Sequence, residues 1–419
     1  MKTSDYILSL ADRCVKCGLC LPQCPTYTLT ANENESPRGR IALIQGWLNG
    51  QLAPTTTLTN HLDHCLLCRR CERVCPSLVP YGKIIDESKA LLTGSSKTVW
   101  SRKKKLYNTI LSLLLNKKLS GFFFSFLRLL QNTGALFIIK KSALLKRVGL
   151  QQLLTALPFL QKKFKPENFY PATNKTLSRG TIALFTGCIS NQLDPETVIA
   201  SIRLLNKLGY DITIPKQQTC CGALHLHDGN KTQTLNYANE NISVFNQQQN
   251  ITGIISLVNG CSAQLREYTQ LKTDKNFEHE VKDIIEFLSE IDWPENVSLK
   301  PLKKTVAVQI PCSLQNILRA ENKLLLLLKK IPALTLADNI VSNQCCGAAG
   351  TYFLRFPEIA NKLKHDTLEK LTAGSPDYII SSNLGCALHL KSGLNKHSNA
   401  IKIIHPVILL EQQLVSDDE

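Results

Sequence analysis

The second half of the chain alternates short apolar runs with stretches of helical periodicity. TIALFTGC, ending at Cys188, and TVAVQIPC, ending at Cys312, read as strands that place a cysteine just past their ends. A helical stripe follows each, Val198 to Leu208 in one case and Leu324 to Leu328 in the other. Then come DITIP at 211–215 and ALTL at 333–336, and finally IISLVNGC and YIISSNLGC, which read as further strands. Strand–helix alternation of this kind predicts a parallel sheet, and binding sites in such sheets collect beyond the carboxyl ends of the strands. Nearer the start, RIALIQGWL at 40–48 carries a mixed helical stripe of Ile41, Leu43, Ile44, Trp47 and Leu48 just after Pro37. Between the two regions, LSLLL at 111–115, FFFSFLRLL at 122–130 and ALFII at 135–139 alternate with basic residues and predict two or three helices. No run of 18 apolar residues occurs, so no membrane-spanning helix is expected.

Charge sharpens this division. The 419 residues carry 49 Lys+Arg and 33 Asp+Glu, a net +16. Residues 101–165 hold 14 Lys/Arg and no acidic residue, so +14 of the +16 lies in that one segment. The segment reads as a basic connector. A basic stripe can mark nucleic-acid binding. Here the charge is packed between apolar runs, which fits an anionic membrane surface or an acidic partner better, and no nucleic-acid partner is expected. The plainest alternative is a solvated face. At 43% apolar and 20% charged, the composition is that of a folded protein.

Sixteen cysteines change the picture most. Asp5 and Asp12 interrupt the N-terminus and no secretory signal is read there, so a reducing cytoplasmic setting is expected, with metal ligands or redox thiols favoured over disulfides. The first eight form two quartets, CVKCGLCLPQCP and CLLCRRCERVCP, each with gaps of two, two and three and a closing proline. Three thiolates at such gaps can converge on one cubane face, while the fourth, before proline, leaves to bind the other cluster. The expected ligands are Cys14, Cys17, Cys20 and Cys75 for one [4Fe–4S] cluster and Cys24, Cys65, Cys68 and Cys71 for the second. Zinc, the alternative for CxxC pairs, has no use for the third regularly spaced cysteine and the Cys-Pro end. The 40 residues between Cys24 and Cys65, with their helical stripe, suit an α-helical ferredoxin domain. Arg38 and Arg40 read as surface or cluster-facing charge.

The other eight are Cys188, Cys220, Cys221 and Cys261, then Cys312, Cys345, Cys346 and Cys386, with steps of 32, 1 and 40 and of 33, 1 and 40. This is an internal duplication. Gly222 and Gly347 follow the paired cysteines and would allow a tight turn, as Gly260 and Gly385 would before the last cysteine. Each set could hold a further cluster or zinc, or cycle as a dithiol. His225, His227 and His389 read as surface or packing residues. No GxGxxG follows a strand and no substrate-oxidising base is visible, so no catalytic residue is assigned.

These residues carry a resemblance. The two CxxCxxCxxxCP quartets and the two CCG repeats, together with SPRGRIALI, HLDHCLLCRRCERVCPS, CCGALHLH, NGCSAQLREY, CCGAAGTY and NLGCALHL, resemble the iron–sulfur subunit of bacterial glycolate oxidase over nearly the whole chain. The implied organisation is α+β and multidomain. It has an α-helical ferredoxin domain at 1–100 and a basic helical connector at 101–175. Parallel α/β cysteine-rich repeats would follow at 176–298 and 299–419. The resemblance implies a separate FAD subunit that oxidises glycolate to glyoxylate, with this chain passing electrons to a membrane acceptor such as quinone, peripheral to the inner face of the cell membrane. Subunits of lactate or glycerol-3-phosphate dehydrogenases share the layout, and the wider cysteine-rich family includes heterodisulfide reductase, so the alternatives the resemblance implies are such a dehydrogenase subunit or a thiol/disulfide redox protein. Where the wider cysteine-rich pattern ends in CxxC, this chain has Gln264 and His389, so a five-thiol cluster lacks one ligand in each repeat.

Overall fold

The structure is a computed structural model and describes residues 2–94, 117–135, 160, 164–173, 178–271, 277–337, 344–394 and 401–415. Its N-terminal part is helical: α1 (Thr3–Ala11), α2 (Pro25–Thr30), α3 (Pro37–Leu48), α4 (Thr56–Asp63), α5 (Arg70–Arg73) and α6 (Tyr81–Gly94). Helix α3 starts where Pro37 occupies its first turn and the Ser36 hydroxyl accepts from Gly39 N–H at 2.9 Å. Of its expected stripe, Ile41 and Ile44 are buried. They meet Ile7 and Leu10 of α1, Leu58 and Leu62 of α4 and Ile84 and Ile85 of α6 in a core that reaches the cysteines. Within the connector, α7 (Lys117–Asn132) falls on the FFFSFLRLL run. LSLLL at 111–115 and residues 136–139 lie outside the described residues.

Two sheets follow. The first has the order β1-β3-β2-β4-β5, with β1 Phe169–Tyr170, β2 Thr181–Phe185, β3 Asp211–Thr213, β4 Ile251–Ser256 and β5 Val281–Asp283. The second has the order β7-β6-β8-β9, with β6 Thr305–Gln309, β7 Thr335–Leu336, β8 Tyr378–Ser381 and β9 Lys402–Ile404. All neighbours are parallel except β1, which adds an antiparallel edge to β3. That edge strand comes from the stretch expected to be connector. The side-chain period of two then sorts the faces. Ile182 and Leu184 of β2 and Val306 and Val308 of β6 point into one core shared by both sheets. Ala183 and Phe185 face a separate core with Cys220 and Cys221, and Ala307 faces one with Cys346 and Cys386.

The repeats are thus fused back to back. Helix α8 (Pro195–Lys207) of the first packs on the last helix, Pro406–Gln412, and Ile284–Glu290 packs on Glu321–Lys329. The layout is the expected one: helical at the N-terminus, then two parallel-sheet units matching the duplicated cysteines.

Candidate metal centres

The two N-terminal quartets share an unusual backbone path. Lys16 and Gly18 in the first, and Leu67 and Arg69 in the second, all adopt positive φ (56°, 85°, 50° and 55°). Such left-handed residues curl the chain around a concavity lined with N–H groups. Leu67 N–H lies 3.4 Å from Cys65 Sγ. Arg69 has no glycine's freedom at this position. Its guanidinium is held by Glu72 at 2.8 Å and by Glu267 of the first repeat. Cys24 is extended (φ −88°, ψ 116°) ahead of Pro25, as a residue before proline should be. This directs it away from its own quartet to lie near Cys68 and Cys71. Cys14 and Cys17 stay near Cys20, and Cys75 packs on the same helical core as Cys14 and Cys20.

The quartets differ in exposure. Cys17 is exposed and Cys14, Cys20 and Cys75 are half-buried, whereas Cys24, Cys65 and Cys71 are buried. Beside the buried set lies a polar network that sequence reasoning did not assemble. Arg40 is 1% exposed; its Nη1 is 3.9 Å from Cys24 Sγ and its Nη2 donates to Glu35 Oε2 at 2.6 Å. His61 and His64 place Nδ1 at 2.6 and 2.8 Å from Glu35 Oε1. Burial alone would raise the Glu35 pKa; hydrogen bonds from His64 and His61 and the charge of Arg40 outweigh it and hold the carboxyl at about 2. Glu35, His61 and His64 have metal-ligand spacing. The guanidinium already neutralises the carboxylate, and the imidazoles are hydrogen-bonded to it, so this is an ion-pair network. Its signals, SPRGR and HLDH, sit within the segments that carry the resemblance.

In the first repeat Cys188, Cys220, Cys221 and Cys261 come together: Cys188 and Cys221 touch Cys220, and Cys261 touches Cys221. In the second, Cys345 touches Cys312, and Cys346 Sγ lies 3.0 Å from Cys386 Sγ. The paired cysteines are followed by Gly222 (φ 86°) and Gly347 (φ 82°), where only glycine fits; a Cβ at Gly347 would lie 2.6 Å from Ala360 O. Gly260 and Gly385 do not share this role. Neither has positive φ, and a Cβ at Gly385 would meet nothing within 4 Å. His227 is half-exposed against Asp86 at 3.2 Å, while His225 and His389 are buried. Burial, with Lys364 nearby, holds His389 neutral, with a pKa of about 4.

The buried quartet abuts the second repeat. Cys68 lies near Cys312 and Cys345, Asn316 Nδ2 donates to Cys68 O at 2.7 Å, and Leu66 packs with Cys345 and Tyr352. A cavity of about 430 Å³ opens between the helical part and both repeats, bordered by Cys65, Cys188, Cys220, Cys221, Cys261 and Cys312. Ion pairs tie its walls. Arg355 of the second repeat joins Asp63 of α4 to Asp228 of the first, and Lys231 meets Glu87 at 2.5 Å.

The donor set fits iron–sulfur cores. The cysteines are free thiols in convergent sets. Burial, then neighbouring thiols, push Cys71 well up; contact with Cys312, then burial, does the same to Cys345. Such thiols ionise when a bound cation supplies the free energy, so metal uptake releases protons.

Comparison with known proteins agrees with this inventory. Residues 10–79 match the 4Fe-4S dicluster domain family, and residues 182–266 and 306–391 match the cysteine-rich domain family. A probable glycolate oxidase iron-sulfur subunit of Bacillus subtilis is 30% identical over 95% of this chain and 92% of its own length. The glycolate oxidase iron-sulfur subunit of Escherichia coli is 29% identical over 97% of this chain and 95% of its own. Lactate utilization protein A of an Exiguobacterium species is 25% identical over 55% of this chain.

Proposed function

Because this chain belongs to the family of glycolate oxidase iron–sulfur subunits, we propose that it carries electrons from a flavin-bearing partner subunit, the site of glycolate oxidation to glyoxylate, towards a membrane acceptor. Cys14, Cys17, Cys20 and Cys75 would hold one [4Fe–4S] cluster, and Cys24, Cys65, Cys68 and Cys71 the other. When bound, such clusters take up and release single electrons at potentials set by burial and hydrogen bonds to sulfur. The chain's part is to order and insulate them.

The observation that carries this reading is the gradient of burial, from exposed Cys17 through buried Cys24, Cys65 and Cys71 to the thiols of the second repeat beside Cys68. Around the exposed quartet stand Val15, Leu19 and Leu78, which are 69%, 56% and 75% exposed. They offer the apolar centre of a docking surface to the flavin subunit. Changing all three to Asp is expected to weaken association with that subunit at least tenfold without changing iron content, read by co-sedimentation and iron analysis.

Anaerobic purification with iron and sulfide analysis and EPR tests the core of the reading. About eight irons per chain support two [4Fe–4S] clusters, and twelve or more bring in the repeats. Fewer than four would overturn it. The chain alone is expected to show no glycolate turnover with artificial acceptors. The 3.0 Å contact between Cys346 and Cys386 favours a second reading, a redox dithiol in the second repeat. Unchanged electron transfer after Cys346→Ser would exclude it.

A further inference from the structure

The two repeats place equivalent residues differently towards the helical part. Four positions past the first cysteine of each set stand Gln192, after Cys188, and Asn316, after Cys312. Gln192 lies in the short helix Ser190–Leu193, and its Oε1 accepts from Arg128 of α7 at 3.0 Å. Asn316 lies in a turn of π-helix, Ser313–Ile317, that starts directly after Cys312. Such turns are rare and recur at functional sites. From this one, Asn316 Nδ2 donates to Cys68 O at 2.7 Å, and Gln315 O accepts from Arg73 Nη1 at 3.1 Å. Arg73 stands between Cys71 and Cys75 and also pairs with Glu321 at 2.7 Å. The loop of the buried quartet is therefore laced to the turn that carries Cys312.

Packing alone does not account for this amide. Asn316 is 8% exposed, and its Oδ1 has no hydrogen-bond partner among the described residues. A half-satisfied buried amide costs more than a leucine would in its place. What the amide gains is its bond to Cys68 O, and Cys68 in turn lies near Cys312 and Cys345. The first repeat is joined to the helical part by side-chain ion pairs instead, Arg69–Glu267, Asp86–His227 and Glu87–Lys231. The ionisable neighbours acting most strongly on Cys220, Cys221 and Cys261 are one another, Cys188, His227 and Asp283, with no member of either quartet. These thiols share with Cys65 the border of the cavity of about 430 Å³. Electron tunnelling falls exponentially with distance, and faster through open space than along bonded, packed atoms. The bonded route runs to the second repeat.

We infer that Asn316 is a positioning residue that holds Cys312 against Cys68, and that the second repeat rather than the first takes the electrons leaving the buried quartet. This rests on the electron-transfer reading above and gives the two copies of the duplication different roles. One electron passes per step. The centre on Cys24, Cys65, Cys68 and Cys71 is oxidised and an iron–sulfur centre on the four thiols of the second repeat is reduced, with no bond broken and no proton moved. Because Asn316 bonds the carbonyl of Cys68 and not its sulfur, it sets the gap between the centres and leaves their potentials alone.

The test uses the full iron-loaded chain with its flavin subunit and glycolate, followed by rapid freeze-quench EPR. The signal of the second repeat is assigned by its loss in Cys345→Ser. Asn316→Leu is expected to slow the appearance of that signal roughly tenfold. Reduction of the two quartets, all midpoint potentials and iron content should stay as in the native chain, and thermal stability should not fall. Gln192→Leu, the same change at the equivalent position of the first repeat, is expected to leave the rate unchanged. Arg73→Met, at an exposed position, should slow the step in the same direction and decides the case if Asn316→Leu fails to assemble. An unchanged rate in Asn316→Leu, equal slowing in Gln192→Leu, or slowing that follows a shifted potential would overturn the inference. About eight irons with no third signal would also overturn it, while the electron-transfer reading stands. If glycolate leaves both quartets oxidised, the reading itself fails.

Discussion

Arg40 shows how one side chain can set the properties of a centre. It is a buried cation 3.9 Å from Cys24 Sγ, fixed by Glu35. A positive charge so placed stabilises whichever form of the neighbouring thiolates carries more negative charge. Arg40→Met is therefore expected to shift the potential of the buried centre downwards in an EPR redox titration, leaving the exposed one unchanged. It should also cost about 3–5 kcal/mol of stability, because Glu35 loses its guanidinium partner in a buried pair. Glu35 gives a pH signature. Its folded pKa of about 2 lies below the ordinary 4.5, so the stability it contributes is fully present above pH 4.5 and is lost as pH falls towards 2. The advantage of the native chain over Glu35→Gln, a few kcal/mol at neutral pH, should shrink over that window in denaturant titrations. Both arginines of SPRGR were legible as charge; that Arg40 turns inward while Arg38 reaches Lys16 O at 3.0 Å was not. The two stand about 200° apart on one turn, and a mixed apolar stripe does not show which of them meets the core until the helix's neighbours are in place.

Among the elements, the strand–turn units that present the repeats' cysteines depend on two glycines. Gly347→Ala would force a Cβ into positive φ and to 2.6 Å from Ala360 O. A loss of about 2 kcal/mol or more, with impaired metal uptake, is expected. Gly385→Ala is the control. It lies in helix Leu384–Lys391 with nothing within 4 Å of an added Cβ, and should be neutral or stabilising by up to about 1 kcal/mol. Thermal unfolding of the two variants separates the cases. Most of these elements were visible in the apolar pattern, because a strand buried on both faces and a cysteine just past its end leave a plain trace. The antiparallel edge Phe169–Tyr170 was not visible, since two residues carry no periodicity.

For the molecule as a whole, Arg355 ties the helical part to both repeats, alongside pairs such as Arg69–Glu267 and Lys231–Glu87. It bonds Asp228 Oδ1 at 3.1 Å and also holds Asp63, and both carboxylates are buried. Lys89, 3.8 Å from Asp63, compensates only in part. Arg355→Met is expected to cost about 3–5 kcal/mol and to raise hydrogen exchange in α4 and around Asp228 together. Unchanged exchange in either segment would show that the three parts are held elsewhere. The fused core of the repeats sets the opposite limit. With Ile182, Leu184, Val306 and Val308 in one apolar cluster, the two sheets should unfold together.

Cysteine spacing, the Cys-Pro ends and the 125-residue duplication were properties of the sequence alone. The apolar pattern beside them determined the helical and parallel-sheet parts, and the cysteines proposed which thiols act in sets, because ligand geometry is local and leaves its spacing in the chain. The relation between those sets was decided only by tertiary structure. It placed one quartet at the surface and the other against Cys312, fused the two sheets through a common core and enclosed a cavity among all three parts. Contacts such as Arg355 to Asp63, 292 residues apart, arise from packing and charge pairing that no local pattern encodes.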